Sequence, residues 1–435
     1  PRGLRVLGRA EGTFDVPIEG QIAAGLPLDL GDRLGDAFAL TADIADPRRE
    51  LFALQVQGDS MVDDLVGDGD LIIVEPGHYE EMLIMWQPVR LQGSGAGATF
   101  VSGIKSPTEA LLDWRNRMDC LFGDGPGCTK VVDPLPGQVD GAAGMDTEEG
   151  ATITVLGPAD SAAANSFSSG FRARIDGITI TGGDTGGGVF VNGYAHRLQI
   201  RNNRISGNSG AYHGGIRIGR PYLELEGNGP FAFNDNVDIR YNSVTQNASF
   251  HGAGGGISIA TGSDSYSITS NFVCGNFTQG DGAGIGHLGL SDGGNIEGNT
   301  ILFNQSFRQG ANQSGGGVFV GGEPIALAEV DGVLTKGAGN VNVQGNLIQG
   351  NHAASGHGGG VRAEFVNGQD VIDTAGNNGR ARPSQWFTLR LLNNTIVNNV
   401  AGWSGAGVSL QDAARSVIEG NTIAHNDSTA TVAAA

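Results

Sequence analysis

The feature that most constrains this chain is a recurring pair of asparagines, five residues apart, with a branched aliphatic residue two positions after the first asparagine. The first asparagines follow one another at intervals of 39, 29, 28, 47, 48 and 27 residues. Repeats of about 20 to 50 residues are typical of solenoids, propellers and arrays. The short intervals set the length of the basic unit, and the long ones contain insertions. The seven pairs are Asn203 and Asn208, Asn242 and Asn247, Asn271 and Asn276, Asn299 and Asn304, Asn346 and Asn351, Asn394 and Asn399, and Asn421 and Asn426.

Glycine accounts for 74 of the 435 residues, and clusters of it precede an aliphatic residue in each unit, as in Gly254–Gly256 before Ile257. Apolar residues in alternation indicate short strands, while Gly and Asn supply left-handed turn conformations. This combination favours a parallel β-helix whose coils stack at about 4.8 Å. Asparagines at the same place in successive coils would then form an internal amide ladder, as identical residues do in cross-β structure.

Residues from about 70 to 426 resemble the right-handed parallel β-helix proteins of the pectin-lyase-like superfamily, particularly bacterial surface or secreted repeat proteins. The resemblance rests on the Gly-Gly-Gly-apolar and Asn-x-Ile-x-x-Asn units, and on an opening coil at Gly69–Glu81. Ser106-Pro107-Thr108-Glu109 reads as a capping box with proline at the first helical position. It predicts one amphipathic helix over residues 107–122 that packs on the β-helix.

The N-terminal segment does not repeat. It contains Ala23-Ala24-Gly25, then Gly58-Asp59-Ser60-Met61, then Asp68-Gly69-Asp70-Leu71-Ile72-Ile73-Val74. These motifs, in this order, resemble the self-cleaving serine peptidase domain of LexA- and UmuD-type proteins. The resemblance implies that Ser60 is the nucleophile and that the bond between Ala24 and Gly25 is cleaved. The chain would then have a truncated peptidase segment at 1–75, β-helix entry coils with the helix at 70–195, and regular repeats at 196–435. Its fold class is mostly β.

A serine nucleophile needs a base, which in this family is a neutral lysine roughly 40 residues downstream of the serine. Residues 90–104 contain no lysine, and Lys105 follows Ser60 by 45 residues. Lys105 is therefore the candidate base, although its context is that of the lead-in to the predicted helix. We expect the peptidase segment to be inactive.

Alignment of the glycine clusters places Asp281, His357 and His213 in one column of polar residues before a strand. Asp281 and His357 would lie two coils apart, or about 10 Å. Three insertions, residues 219–236, 321–340 and 364–387, fall at the same point of the coil and therefore on one face. They contain the candidate sugar-stacking residues Tyr222 and Trp386, and Trp403 lies beside the glycine column. The simpler interpretations are turn-capping residues and aromatic rings that cover their own loops.

The formal net charge is −20, from 26 basic and 46 acidic residues, which argues against nucleic-acid binding through this chain. No apolar run is long enough for a membrane-spanning helix. We expect no cofactor, with Ca²⁺ as the alternative, and a polysaccharide or a surface partner as the ligand. The β-helix indicates a secreted or surface protein, whereas the LexA resemblance indicates the cytoplasm. Three functions stay open: a binding scaffold, a LexA-like autoproteolytic regulator, and a polysaccharide lyase or glycoside hydrolase.

Overall fold

The computed structural model describes residues 13–23, 26–29, 37–41, 52–56, 71–74, 76–86, 90–122, 150–157, 167, 173–220, 223, 231–309, 313–322, 334–372 and 382–430. Almost all of its regular structure is β, with one α-helix, Thr108–Phe122, and two short 3₁₀ helices, Gln369–Val371 and Pro383–Gln385.

The N-terminal strands form a separate mixed sheet. The second and third strands pair antiparallel with the long first strand, the fourth pairs parallel with the first, and the fifth pairs antiparallel with the fourth. The fifth strand, which the two family resemblances share, therefore pairs within this sheet. The strands are Thr13–Ala23, Leu26–Asp29, Ala37–Thr41, Phe52–Val56 and Leu71–Val74.

From residue 76 to residue 430 the chain passes repeatedly through four sheets in which every strand pair is parallel; we call this part the stack. Each regular coil contributes one strand to sheet 1, then sheet 2, sheet 3 and sheet 4. This cyclic connection of parallel strands is consistent with the predicted β-helix.

Sheet 1 contains Leu83–Met85, Ile153–Leu156, Val189–Gly193, Ile216–Ile218, Ile257–Ala260, Ile285–Leu288, Val318–Gly321, Val361–Glu364 and Val408–Gln411. Sheet 2 contains Arg90–Gln92, Arg174–Asp176, Gln199–Arg201, Asp238–Arg240, Ser267–Thr269, Gly294–Glu297, Val341–Gln344, Leu389–Leu392 and Ser416–Glu419. Sheet 3 contains Gly77–Tyr79, Thr99–Ser102, Thr179–Thr181, Arg204–Ser206, Ser243–Thr245, Phe272–Cys274, Thr300–Leu302, Leu347–Gln349, Thr395–Val397 and Thr422–Ala424. Sheet 4 contains Ser209–Gly210, Ala248–Ser249, Phe277–Thr278, Gln305–Ser306, His352–Ala353, Val400–Ala401 and Asp427–Ser428.

The core of the stack is a set of aliphatic columns that run along its axis. The register places the branched residue that follows each first asparagine directly against its counterpart in the next coil, as with Val244, Val273 and Ile301. These three side chains are fully buried. Because successive strand residues point to opposite faces, the intervening residues face outward.

The paired asparagines are also buried and stacked. Asn271 donates its backbone N–H and its side-chain Nδ2 to Oδ1 of Asn299 in the next coil, at 2.9 and 3.0 Å. Its Nδ2 also donates to the carbonyl oxygen of Ile239 at 2.9 Å. The second asparagine of each pair repeats this arrangement, since Asn276 donates to Asn304. The asparagine side chain therefore satisfies corner backbone groups that would otherwise be buried without a partner.

Glycine is required where sheet 4 turns into sheet 1. Gly358 has a φ of 66°, in the left-handed region that a side chain disfavours. A Cβ atom at Gly317 would lie 2.6 Å from the carbonyl oxygen of Gly360, on the next coil. The glycine clusters thus allow backbones of neighbouring coils to approach closely.

The α-helix of the described residues begins one residue after the predicted start. Trp114 is buried, and the half-buried Met118 packs against a small second core that includes Leu156 and Tyr194. Leu112, on another face of the helix, is exposed. The helix therefore packs on the stack as predicted. No helix in the described parts of the chain is long and apolar enough to cross a membrane.

Candidate functional site

The polar residues that precede the sheet 1 strands form a hydrogen-bonded column. Asp281 Oδ1 accepts the backbone N–H of Ser314 at 2.6 Å. Ser314 Oγ accepts the backbone N–H of His357 at 3.1 Å, and His357 Nδ1 lies 2.8 Å from Ser404 Oγ. Asp281 and His357 are therefore two coils apart and are connected through Ser314. These bonds hold the corner together, as expected of turn residues.

The two titratable members of this column are shifted toward their neutral forms. Burial raises the pKa of Asp281 to about 7, against the lowering effect of the N–H from Ser314. Burial also lowers the pKa of His357, helped by the nearby Arg362 guanidinium. Arg362 donates to Glu364 Oε2 from Nε and Nη2 at 3.0 and 2.7 Å, so both of these charges have a partner. The nearby Glu364 carboxylate raises the pKa of Asp281 further, and Arg362 opposes it.

His213 is closed to solvent beside the outer face of sheet 1, where Phe190 and Arg217 take outward strand positions. Its side chain is fully buried, with its ring 6.1 Å from that of Phe190, and burial lowers its pKa to about 3. The guanidinium of the equally buried Arg217 lies 4.7 Å from the centre of the same Phe190 ring. His213 is therefore a neutral packing residue at neutral pH. Because the imidazole is closed to solvent, the ligand contact predicted at His213 is not supported by its position.

The aromatic residues of the insertions mostly cover their own loops. Phe231 and Phe233 pack together, with ring centres 5.7 Å apart, against the second core. Trp386 is half-buried, and Tyr222 lies outside the described residues. Of the aromatic candidates from the sequence, Trp403 is exposed, at 52 %.

The structure exposes a different set of aromatic rings, which the sequence did not single out. Tyr241, Phe272 and Phe303 have exposed fractions of 59, 42 and 60 %. They belong to three successive coils: Tyr241 precedes its sheet 3 strand, Phe272 begins the next strand, and Phe303 follows the strand after that. Tyr241 and Phe303 therefore lie in the turns on either side of sheet 3, and Phe272 lies on its outer face; we call these three rings the aromatic diagonal. The signal in the sequence was their placement at outward positions beside the asparagines.

A buried polar pair inside the stack was also missed. His287 takes an inward position in register with Ile259 and Val320. Its Nε2 lies 2.8 and 3.0 Å from the carbonyl oxygens of Gly289 and Ala338, so Nε2 carries the hydrogen and Nδ1 accepts the Tyr266 hydroxyl at 2.8 Å. Burial lowers the pKa of His287 to about 4. The pair is satisfied and closed to solvent, which makes it structural.

Lys105 is held by two groups of the next coil. Its ammonium forms an ion pair with Asp184 Oδ1 at 2.5 Å and donates a hydrogen bond to Thr185 Oγ1. Although partial burial would raise it, the hydrogen bond and the charge of Lys105 lower the pKa of Asp184. Ser60, Ala24 and Gly25 lie outside the described residues. The roles of Ser60 and Lys105 in cleavage therefore stay predictions.

A cavity of about 560 Å³ lies between the helix and the first coil of the stack. Its wall combines apolar side chains, among them Trp86 and Trp114, with the carboxylates of Glu80, Glu81 and Asp113. In the described parts of the chain, no three His, Cys, Asp or Glu side chains are grouped so that they could hold a metal ion.

Comparison with known proteins finds sequence similarity in the N-terminal segment of the chain. Residues 17–82 match the sequence model of the family described as Peptidase S24-like. Over 78 residues, 17 % of this chain and 39 % of the relative, the chain is 38 % identical to the LexA repressor of Clostridium tetani. It is 43 % identical to the LexA repressor of Clostridium kluyveri over 68 residues, 16 % of this chain and 34 % of the relative. The LexA repressor of Bacillus mycoides is 36 % identical over 78 residues, 17 % of this chain and 38 % of the relative.

The chain spans about two fifths of the length of these curated relatives. No solved structure matches it. The family match includes the strand Gly77–Tyr79, which pairs with Thr99–Ser102 in sheet 3 of the stack. The LexA-like segment at the N-terminus is thus supported, and the matched residues end within the first coil of the stack.

Proposed function

We propose that this protein is a binding scaffold whose LexA-like segment does not cleave itself. The observation that carries the proposal is the ion pair between Lys105 and Asp184. A lysine that activates a serine must be neutral, and a carboxylate in contact with it favours the charged ammonium. The family match ends at residue 82, and residues 83–104 contain no lysine. Ser60 therefore has no base from this stretch.

Self-cleavage is tested by incubating the purified chain at alkaline pH and following its intact mass. We expect no fragment that begins at Gly25, in the native chain or in Ser60→Ala. The Asp184→Asn variant removes the charge that holds Lys105, and we expect it to stay intact as well. A Gly25 fragment that forms in the native chain and disappears in Ser60→Ala would contradict the proposal and favour the LexA-like autoprotease.

The ligand surface of the scaffold is, in this proposal, the aromatic diagonal. Three large rings exposed on neighbouring coils are an unusual feature for a surface that contacts only water. Hydroxyl groups of Ser243 and Thr300 lie on the same outer face of sheet 3, so ring-stacking and hydrogen-bonding groups alternate there. An extended glycan offers both kinds of contact. The net charge of −20 repels polyanions and therefore favours a neutral polysaccharide.

Binding is measured by electrophoresis through gels that contain neutral glucans or mannans, with polygalacturonate as the charged comparison. We expect a neutral polysaccharide to retard the native chain. Replacement of Tyr241, Phe272 and Phe303 by alanine should weaken the affinity about tenfold or more, because a few aromatic contacts are lost. Trp86→Ala is the matched control, since Trp86 is 46 % exposed on the first coil. Retardation by no neutral polysaccharide, or equal retardation of all three proteins, would reject this surface.

A further inference from the structure

The cavity between the helix and the first coil of the stack has two walls of different origin. The first coil contributes residues 80–84 and Trp86, which lie in and beside the strand Leu83–Met85. The helix contributes residues at spacings of three, four and seven positions, which together form one face of a helix. These are Ala110, Asp113, Trp114 and Arg117. The volume of about 560 Å³ is in the usual range for sites that bind small molecules.

The helix face in this cavity is charged, whereas a helix that only packs on its neighbours presents an apolar stripe to them. Asp113 and Arg117 lie beside Trp114 on this face, and both are exposed. Two apolar residues of the cavity wall, Trp86 and Ile104, are likewise 46 and 37 % exposed. The cavity is therefore open to solvent, and a small molecule can enter it.

The composition of the wall favours a cation with an apolar body. The wall has three carboxylates, which belong to Glu80, Glu81 and Asp113, and one guanidinium, which belongs to Arg117. This excess of negative charge attracts cations, and the net charge of −20 on the whole chain acts in the same direction. The exposed indole ring of Trp86 offers a face that attracts cations as well.

A polar atom of the wall lacks a partner in the part of the chain that the structure describes. Trp114 is 8 % exposed, and its Nε1–H is buried without a hydrogen-bond acceptor among the described residues. A buried indole N–H is normally paired. A ligand with an acceptor atom in its apolar body would satisfy this donor.

We propose that the cavity binds a small organic amine, protonated at neutral pH, whose apolar body carries a hydrogen-bond acceptor. The ammonium group pairs with the carboxylates of the wall. The apolar body packs against Trp86 and Ile84, and its acceptor takes the Nε1–H of Trp114. This site is separate from the aromatic diagonal, which lies on later coils of the stack.

The test is equilibrium dialysis of the native chain against three probes of similar shape and different charge. The probes are tyramine, which is a cation, its neutral alcohol analogue tyrosol, and the anionic analogue hydroxyphenylacetate. We expect tyramine to bind about tenfold or more tightly than tyrosol, because only tyramine gains the carboxylate and cation–π contacts, and hydroxyphenylacetate to bind least. Added salt should weaken the binding of tyramine, since it screens exposed charges. Failure of tyramine to bind, or equal affinities for tyramine and tyrosol, would overturn the proposal.

Two variants of the wall locate the site. Asp113→Asn and Trp86→Ala should each weaken the binding of tyramine about threefold or more, and Asp113→Asn should leave the affinity for tyrosol unchanged. Glu109→Gln is the matched control on the same helix, since Glu109 is exposed and lies outside the wall. Trp403→Ala is the matched aromatic control, since Trp403 is 52 % exposed on a distant coil.

Both controls should bind tyramine as the native chain does. Equal losses in the controls and in the wall variants would place the site elsewhere and overturn the proposal. If Trp86→Ala does not fold, Asp113→Asn decides: loss of affinity for tyramine but not for tyrosol supports the site, and unchanged affinity for tyramine overturns it.

Discussion

The entry coils, residues 76–195, and the regular coils, residues 196–429, stack in one register but fill their corners differently. In the regular coils the two corners beside sheet 3 each contain an asparagine bonded to the asparagine of the next coil. At the boundary, Ile178 and Gly183 occupy the equivalent places and donate only their backbone N–H, to Asn203 and Asn208. The aliphatic columns continue through both regions. The comparison indicates that the aliphatic columns set the stacking. The asparagines instead provide hydrogen-bond partners for the backbone groups at the corners of the regular coils.

The largest effect should come from breaking an asparagine column in its middle. Asn299→Ala leaves two buried donors of Asn271 without an acceptor, the backbone N–H and Nδ2. Each such donor costs about 1–3 kcal/mol, so we expect the free energy of unfolding to fall by roughly 2–6 kcal/mol in urea denaturation. Asn398→Ala should cost less, because Asn398 is exposed at a corner and water reaches its side chain. Equal costs at the two sites would argue against the buried column.

A somewhat smaller effect, equal in the two regions, should follow from shortening the aliphatic column. Ile180 in the entry coils and Ile301 in the regular coils are both fully buried. Replacement of either by alanine should cost about 2–5 kcal/mol, the usual range for a large-to-small change in a core. Thermal and urea unfolding measure both. A tolerated Ile180→Ala beside a costly Ile301→Ala would mean that the entry coils are held together in another way.

The smallest effect is a contrast in pH dependence between two corner aspartates. The pKa of Asp281 is raised to about 7 in the folded protein, from an ordinary value of 3.8. The folded state therefore binds more protons than the unfolded state between these values, and stability relative to Asp281→Asn should fall as the pH rises from about 4 to about 7. The pKa of Asp184 is lowered by Lys105. The native chain should therefore be more stable than Asp184→Asn at a pH above the ordinary pKa of an aspartate. This difference in stability should shrink as the pH falls below that pKa. If both stability differences changed in the same direction with pH, the opposite pKa shifts of Asp281 and Asp184 would be contradicted.

The repeat made much of the stack predictable, because its spacing is a local property of the sequence. The asparagine pairs, the glycine corners and the helix at residues 107–122 all appear where the pattern placed them. The exposure of aromatic residues was not predictable in this way. Phe319 and Phe272 both take outward strand positions, yet Phe319 is 1 % exposed because the glycine corners cover the outer face of sheet 1.

The contacts of Lys105 could not be predicted from the sequence either. Its partners Asp184 and Thr185 follow it by about 80 residues, across an insertion whose length hides the coil register. The burial of His213 depends on the missing side chain at Gly187, where an added Cβ would lie 2.5 Å from the imidazole Nε2. Local patterns predict which residues repeat, and packing between coils decides which of them solvent reaches.

Hydrogen exchange of side-chain carboxamides tests the asparagine columns most directly. In a deuterated sample, the Nδ2 hydrogens of Asn271 and Asn299 should exchange slowly, because each group donates to a backbone carbonyl and to the next asparagine. Those of Asn398, which is exposed at a corner, should exchange at the rate of a free amide. Fast exchange at Asn271 and Asn299, matching that of Asn398, would contradict the buried columns.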